Sequence, residues 1–288
     1  MDNFLNKAKN CITAPVSLAK AACGVGFPER ATKSPVEEGC TRIMSFNVRS
    51  GEFEARCKVV PQIIGEYLPD TVGVQECTYE WYKTLCVSLP EYEFVGVGRD
   101  SGNTKPGCGE ISGVLFLKEK YSLLDSGTFW LSETPDKVSY GWDASCRRVC
   151  TWAVLEEKGT GKKFAHVNTH LDHISVPARK NGIELVREKA LSFDVPTVVT
   201  GDFNLFKGCD LYYQLVAEGL TDTQDTAKQT MQGKTYHAYK GGEEGEPIDF
   251  ILTNNKINEV SRYVIVRDML DGQHTSDHYP IFADMIIE

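Results

Sequence analysis

An apolar run that ends in Gly201-Asp202-Phe203-Asn204 constrains the fold of this chain more than any other segment. Residues 195–200 have the length and composition of a buried strand, so the tetrapeptide stands at a strand end. Side chains two residues apart on an extended chain point the same way, which directs Asp202 and Asn204 into one cleft. The segment therefore predicts a buried sheet with polar groups at one edge, although Gly-Asp-x-Asn also forms ordinary turns.

Three further segments repeat this arrangement along the chain. Phe46-Asn47 follows residues 43–45, Gln75-Glu76 follows residues 71–74, and Ser276-Asp277-His278 precedes a last apolar run. Each segment places an amide, a carboxylate or an imidazole where a strand begins or ends. One such match is weak evidence, whereas the ordered set predicts a polar crevice at the strand ends.

Six segments together resemble the motif series of the endonuclease/exonuclease/phosphatase superfamily. In chain order they are Asn47, Val74-Gln75-Glu76, Asn168-Thr169-His170-Leu171-Asp172, Gly201-Asp202-Phe203-Asn204, Ile248-Asp249-Phe250-Ile251-Leu252 and Ser276-Asp277-His278. Deoxyribonuclease I, apurinic endonucleases, deadenylases, inositol-phosphate 5-phosphatases and neutral sphingomyelinases belong to this superfamily. The resemblance runs from about residue 42 to the C-terminus. Within it, residues 127–152, with Cys146-Arg147-Arg148, are similar to a little-characterised microbial branch.

Short apolar runs alternate with amphipathic segments from residue 42 onward, a pattern typical of an α/β fold. Helices are predicted over residues 54–68, 79–89, 175–191 and 210–218. Strands are predicted over residues 43–48, 71–75, 92–97, 112–117, 148–156, 163–169, 196–200, 247–253, 261–266 and 279–287. Several strands have an antiparallel pattern, so we expect two sheets packed face to face with helices outside. The resemblance implies the same four-layer α/β sandwich of two mixed β-sheets, as in deoxyribonuclease I.

The composition fits one large soluble domain or two small ones, with 288 residues, 41% hydrophobic and 25% charged. Pro28, Pro35 and Gly39 mark residues 1–40 as an N-terminal extension and linker, and residues 41–288 form the predicted catalytic domain. An amphipathic helix over residues 2–20 is an alternative to a plain surface extension.

No apolar run reaches the ~20 residues of a membrane span, and no signal peptide is evident. We therefore expect a cytoplasmic monomer.

The ten cysteines show no zinc-binding spacing. Most are expected to be small buried hydrophobic residues in a reducing compartment, although the even number leaves disulfides open.

The predicted metal ligands are Glu76, at the end of a strand, with Asn47 and Asp277 beside it, as the resemblance implies. A set of hard oxygen ligands suits Mg²⁺ or Mn²⁺ better than zinc. The alternative for Glu76 alone is a solvated strand end.

The resemblance gives Asp202 the role of positioning or deprotonating the attacking water, and Asn204 that of holding a phosphoryl oxygen. Asp249 lies inside an apolar strand, where a lone carboxylate is costly and needs a partner. His278 is the expected partner, in an Asp-His dyad that fixes the imidazole tautomer. Whether Asp202 or His278 takes the proton is left open by the sequence.

His170 ends the strand over residues 163–169 and is predicted to contact phosphate, whereas His166 is expected to be a satisfied structural residue. By analogy with deoxyribonuclease I, Glu110 could pair with His170 as a second dyad, or it is an ordinary loop glutamate.

Arg147 and Arg148 begin a strand, so their side chains diverge. We expect Arg148 to face the cleft and bind phosphate.

These residues predict a divalent-metal-dependent hydrolase of phosphate esters, a phosphodiesterase or a phosphatase. The net charge of −9 disfavours long polyanions, so a small phosphorylated substrate is favoured over DNA or RNA. An endo- or exonuclease is the alternative. A catalytically silent binding module is a remote one, because Glu76, Asp202, Asp249 and His278 are all present.

Overall fold

Two mixed β-sheets face each other in residues 33–288, the part of the chain that the computed structural model describes. The helices are α1 (Phe53–Arg56), α2 (Val59–Tyr67), α3 (Tyr79–Ser88), α4 (Val176–Leu191), α5 (Asp210–Leu215) and α6 (Thr223–Thr226). The strands are β1 (Cys40–Asn47), β2 (Thr71–Cys77), β3 (Tyr92–Val95), β4 (Ile111–Leu117), β5 (Tyr121–Trp130), β6 (Val149–Glu157), β7 (Lys163–His170), β8 (Thr197–Asp202), β9 (Leu220–Asp222), β10 (Gln229–Thr230), β11 (Asp249–Asn254), β12 (Glu259–Ile265), β13 (Met269–Leu270), β14 (Gln273–His274) and β15 (Ile281–Ile286). The helix predicted over residues 2–20 lies outside the described residues.

The first sheet has seven strands in the order β10-β12-β15-β1-β2-β4-β3, and the second has six in the order β5-β6-β7-β8-β11-β9. β1 runs parallel to β2, and β7 runs parallel to β8, while the neighbouring pairs β1–β15 and β8–β11 are antiparallel. The mixed character predicted for both sheets is confirmed.

Three apolar cores separate four layers. The first joins α2 and α3 to the first sheet, through Ile63 and Trp81 against Val74. The second lies between the sheets, and the third joins the second sheet to α4 and α5. Neighbouring residues of β8 divide between cores, since Val198 belongs to the second and Val199 to the third. A strand buried on both faces reads as a continuous apolar run, which is why residues 195–200 show no polar alternation.

His166 lies between the sheets and confirms its predicted structural role. Both ring nitrogens are paired, Nδ1 with the Thr71 hydroxyl and Nε2 with the Thr200 hydroxyl, each at 2.8 Å. Burial lowers the pKa of this imidazole to about 3, so His166 is neutral in the folded protein at neutral pH.

This histidine predicts a loss of stability in acid. The pKa of His166 is lower in the folded protein than in the unfolded chain. The stability that comes from this difference is therefore fully present above pH ~6.5 and is lost as the pH falls towards 3. Between pH 6.5 and 4.5 the expected loss is about 2–3 kcal/mol in the free energy of unfolding. Urea denaturation of the wild type and a His166→Gln variant at both pH values measures it. The difference in the free energy of unfolding between the wild type and the variant should become smaller in acid. A difference that does not depend on pH would contradict a neutral, buried His166.

The short elements β9, α6, β10, β13 and β14 were not predicted, and two longer elements also differ from the prediction. The single helix expected over residues 54–68 is broken at Cys57–Lys58, between α1 and α2. β5 was not predicted, because its middle is exposed at Leu124 and Asp125 and interrupted by a register shift there, which removes the alternation that marks a strand. Seven cysteines of residues 33–288 are free thiols, namely Cys40, Cys77, Cys86, Cys108, Cys146, Cys150 and Cys209.

Candidate active site

The strand topology brings the predicted polar residues together at one edge of the two sheets. Parallel pairing places the end of β1 beside β2, so Asn47 lies opposite Gln75, next to Glu76. In the second sheet His170, at the end of β7, lies opposite Asp202, and antiparallel β11 sets Asp249 opposite Asp202 as well. The ends of β1 and β2 in the first sheet and the termini of β7, β8 and β11 in the second thus form one crevice.

Backbone conformation turns Glu76 into this crevice. Simple alternation along β2 would place Glu76 with Val72 and Val74, on the helix-covered face of the sheet. Glu76 instead has φ of 55°, in the left-handed region, and the β2–β4 pairing shifts register between Val74 and Cys77. Such strain costs ~1–3 kcal/mol for a residue that is not glycine, and it accumulates at functional sites. Asn204, with φ of 50°, adopts the same region after β8.

Three buried residues form a linked set of charges. His278 Nδ1 lies 2.9 Å from Asp249 Oδ2, and Nε2 lies 3.7 Å from Asp202 Oδ2. Asp202 also lies 3.4 Å from His170 Nε2 and accepts a hydrogen bond from the Asn47 amide at 3.0 Å. The predicted Asp249–His278 contact is therefore made, and Asp249 has the partner that its apolar strand requires.

The charges within this set raise the pKa values of His278 and Asp202. Burial acts to lower the pKa of His278, but the carboxylates of Asp249 and Asp202 outweigh it and raise the pKa to about 10. Burial, and then the charge of Asp249, raises the pKa of Asp202 to about 7. At neutral pH the imidazole is therefore protonated, while Asp202 divides between its two forms.

Glu76 and Asp277 flank a second part of the crevice. Glu76 accepts hydrogen bonds from the Asn47 amide at 3.1 Å and from the backbone N–H and hydroxyl of Ser50 at 2.9 and 2.8 Å. Arg49 stands between the carboxylates, 3.8 Å from Glu76 and 3.6 Å from Asp277. Burial raises the pKa of Asp277, and the charge of Glu76 adds to this rise. Two carboxylates that share one half-exposed guanidinium leave an excess of negative charge.

The carboxylate oxygens of Glu76 and Asp277 fit a divalent cation of the Mg²⁺ or Mn²⁺ type. The Asn47 oxygen accepts a hydrogen bond from Arg49 N–H at 2.9 Å, which leaves it one lone pair for a cation. The trio of Asp202, Asp249 and His278 is a second candidate, because its ligand atoms lie within 4.8 Å of one another. In that trio, however, the imidazole is protonated and already hydrogen-bonded to Asp249. A metal ion needs a neutral imidazole, so the trio is the poorer cation site.

The structure decides between the two alternatives for Glu110, a dyad with His170 or an ordinary loop position. Glu110 bonds to Arg99 at 2.6 Å, whereas Nδ1 of His170 is buried with no hydrogen-bond partner. The Glu110–His170 dyad is therefore not formed. Long-range packing decided this outcome, because the segment carrying Arg99 folds back onto Glu110 through the Arg99 N–H to Glu110 carbonyl bond.

Arg148 and Arg147 diverge as expected. Arg148 is buried, donates to His173 Nδ1 at 3.1 Å, and contributes to lowering the pKa of His170 after the larger effect of burial. Arg147 points away and pairs with Asp100 at 3.2 Å. Arg148 is therefore near His170, and its Nε has no hydrogen-bond partner.

Two site neighbours were missed from the sequence. Arg49 follows Asn47 by two residues, and that spacing could have placed it on the same side. Arg99 had no local signal. Asn204, which was predicted, donates one amide hydrogen to the Leu171 carbonyl at 3.0 Å, and its backbone N–H donates to Asp202 at 3.0 Å.

The fold and the crevice define a class of protein, the deoxyribonuclease I-like α/β sandwiches. Residues 44–278 match the Endonuclease/Exonuclease/phosphatase family. The chain belongs to this family, whose members are phosphoester hydrolases, and the predicted resemblance is confirmed. An endonuclease/exonuclease/phosphatase from Bacteroides vulgatus is 36% identical, with a TM-score of 0.80, over 86% of this chain and 99% of that one.

A mannosyl-6-phosphatase from Bacteroides thetaiotaomicron is 31% identical, with a TM-score of 0.80, over 86% of this chain and all of that one, 100%. D. rerio TDP2, solved with a single-strand DNA product, is 20% identical with a TM-score of 0.69, over 86% of this chain and 99% of that one, a likeness of fold alone. A protein of Acanthamoeba polyphaga mimivirus is 28% identical over 185 residues, 57% of this chain, and the match spans 66% of that protein.

Among the helices of residues 33–288, none is long and apolar enough to cross a membrane.

Proposed function

We propose that this chain is a divalent-metal-dependent phosphoesterase that hydrolyses a small phosphorylated molecule. The observation that carries the proposal is the buried set of Asp202, Asp249 and His278, which lies beside the carboxylate pair of Glu76 and Asp277. Phosphate-ester hydrolysis needs a deprotonated water and neutralised phosphoryl charge. The crevice has residues for both.

Asn47, Glu76 and Asp277 would hold the cation, which when bound polarises a phosphoryl oxygen and neutralises charge. Asp202 is the better general base of the two candidates. With a pKa of about 7 it is partly ionised at neutral pH, whereas His278, with a pKa of about 10, already carries its proton. The charged imidazole, held by Asp249, then stabilises the negative phosphoryl group, and His170, Asn204 and Arg148 orient it.

A small substrate is favoured over a nucleic acid on two grounds. The net charge of −9 repels a long polyanion over about a Debye length, ~10 Å at moderate salt. The mannosyl-6-phosphatase is 31% identical along its length, whereas the DNA-bound structure shares only the fold. A phosphatase acting on a sugar phosphate is therefore the leading form of the proposal, and a nuclease is the second.

We expect a higher kcat/KM on a small phosphate ester than on single- or double-stranded DNA, with only weak dependence on salt. Local cations such as Arg148 attract a small anion, but a long strand also meets the acidic surface. Steady-state kinetics on monoesters, diesters and oligonucleotides at two ionic strengths make the comparison. Efficient DNA cleavage that falls steeply with added salt would favour the nuclease function instead.

A further inference from the structure

A loop over residues 233–247 borders the crevice next to His278. It pairs with the segment before β15 through two backbone hydrogen bonds that form one antiparallel bridge. Tyr279 N–H donates to the Thr235 carbonyl at 2.8 Å, His237 N–H donates to the Asp277 carbonyl at 2.9 Å, and Tyr236 lies opposite His278 in an antiparallel bridge. The loop is thus attached directly to two residues of the site.

Alternation along this short bridge decides which side chains turn inward. Thr235 is buried, and its hydroxyl accepts hydrogen bonds from the N–H groups of Ile248 and Asp249 at 3.1 Å. His237 is also buried and stacks on Tyr279, with ring centroids 4.0 Å apart. Both neighbours of Tyr236 therefore anchor the loop, and Tyr236 itself points to the opposite side.

Tyr236 presents a ring at the mouth of the site. Its ring centroid lies 4.9 Å from that of His278, yet the residue is 45% exposed. The next residues, Ala238 and Tyr239, have φ of 48° and 61°. Two consecutive left-handed residues that are not glycine are strained, and such strain persists only where the surroundings fix it. The anchored loop therefore holds the exposed ring in place before any substrate arrives.

We infer that Tyr236 is a specificity-determining residue that stacks on a ring of the substrate's organic group. An aromatic face packs well against the apolar face of a sugar ring or against a nucleobase, and it gives a ring-free chain little contact. The substrate class is accordingly a phosphate ester whose alcohol carries a ring. The inference rests on the proposed phosphoesterase function, because Tyr236 acts through its position beside His278.

The test compares three phosphomonoesters, a hexose 6-phosphate, a nucleoside 5′-monophosphate and glycerol 3-phosphate, on the Mg²⁺-loaded full chain. Tyr236→Ala should lower kcat/KM on the preferred ring-bearing ester ~10-fold, mostly through KM, because the variant loses the stacking contact with the substrate ring. Turnover of glycerol 3-phosphate should change less than ~2-fold, since it has no ring to stack. Tyr236→Phe keeps the ring and should behave like the wild type.

Tyr213→Ala is the matched control, since Tyr213 is 63% exposed on α5, outside the second sheet. It should leave all three substrates unchanged, and thermal melting checks that each variant folds. A preference for the sugar or for the nucleoside ester supports the inference and identifies the ring. Equal loss on all three esters, or no loss in Tyr236→Ala, overturns it while leaving the phosphoesterase function intact. Failure of the wild type to hydrolyse any phosphate ester would instead reject the proposed function.

Discussion

Asp249→Asn and His278→Ala should each lower kcat by ~10²-fold or more, with the fold retained. Asp249 holds the imidazole at 2.9 Å and favours its charged form, so removing either residue removes the same stabilisation of the phosphoryl group. Asparagine keeps the size of the side chain but not its charge. Single-turnover kinetics on a small phosphate ester measure the chemical step directly.

A double variant tests whether Asp249 and His278 act as one unit or as two independent groups. Residues that act together are strongly non-additive, so Asp249→Asn combined with His278→Ala should be little slower than the worse single variant. Multiplicative losses would show that the two residues act independently. Thr253→Ser, a conservative change on the same strand β11, is a control for effects on the strand itself.

Glu76→Gln should strongly reduce Mg²⁺ or Mn²⁺ affinity with little change in folding. The substitution keeps the side chain's size but removes one of two carboxylates that share the Arg49 guanidinium. Hard divalent cations depend on carboxylate charge for affinity. Isothermal titration with Mn²⁺ gives the affinity, and thermal melting with and without the metal gives an independent estimate through linkage.

Glu80→Gln is the matched control for this titration, because Glu80 is exposed in the first turn of α3. It should bind the metal like the wild type. Unchanged metal affinity in Glu76→Gln would remove Glu76 from the site and favour the alternative group of Asp202, Asp249 and His278.

Strand ends were predictable because buried strands carry a strong local signal. The apolar runs before Asp202 and Glu76, and the carboxylate inside the run at Asp249, placed these groups at one sheet edge. The Asp249–His278 contact followed from the cost of a lone buried carboxylate together with the family resemblance. The structure confirms both the four layers and that contact.

Side-chain partners that depend on distant packing were not predictable. The sequence left Glu110 open between a dyad with His170 and an ordinary loop position, and the structure pairs it with Arg99 at 2.6 Å. The turn of Glu76 into the crevice depends on a register shift against β4, for which the sequence of β2 gives no sign. The position of Tyr236 likewise depends on long-range pairing with His278.

Phosphate release from a hexose 6-phosphate, followed with Mg²⁺ and then with excess chelator, tests the central claim most directly. We expect release with Mg²⁺, loss of release on chelation, recovery when metal is restored, and little activity in Asp202→Asn under any of these conditions. Release that persists in excess chelator, or no release from any phosphate monoester or diester, would contradict a metal-dependent phosphoesterase.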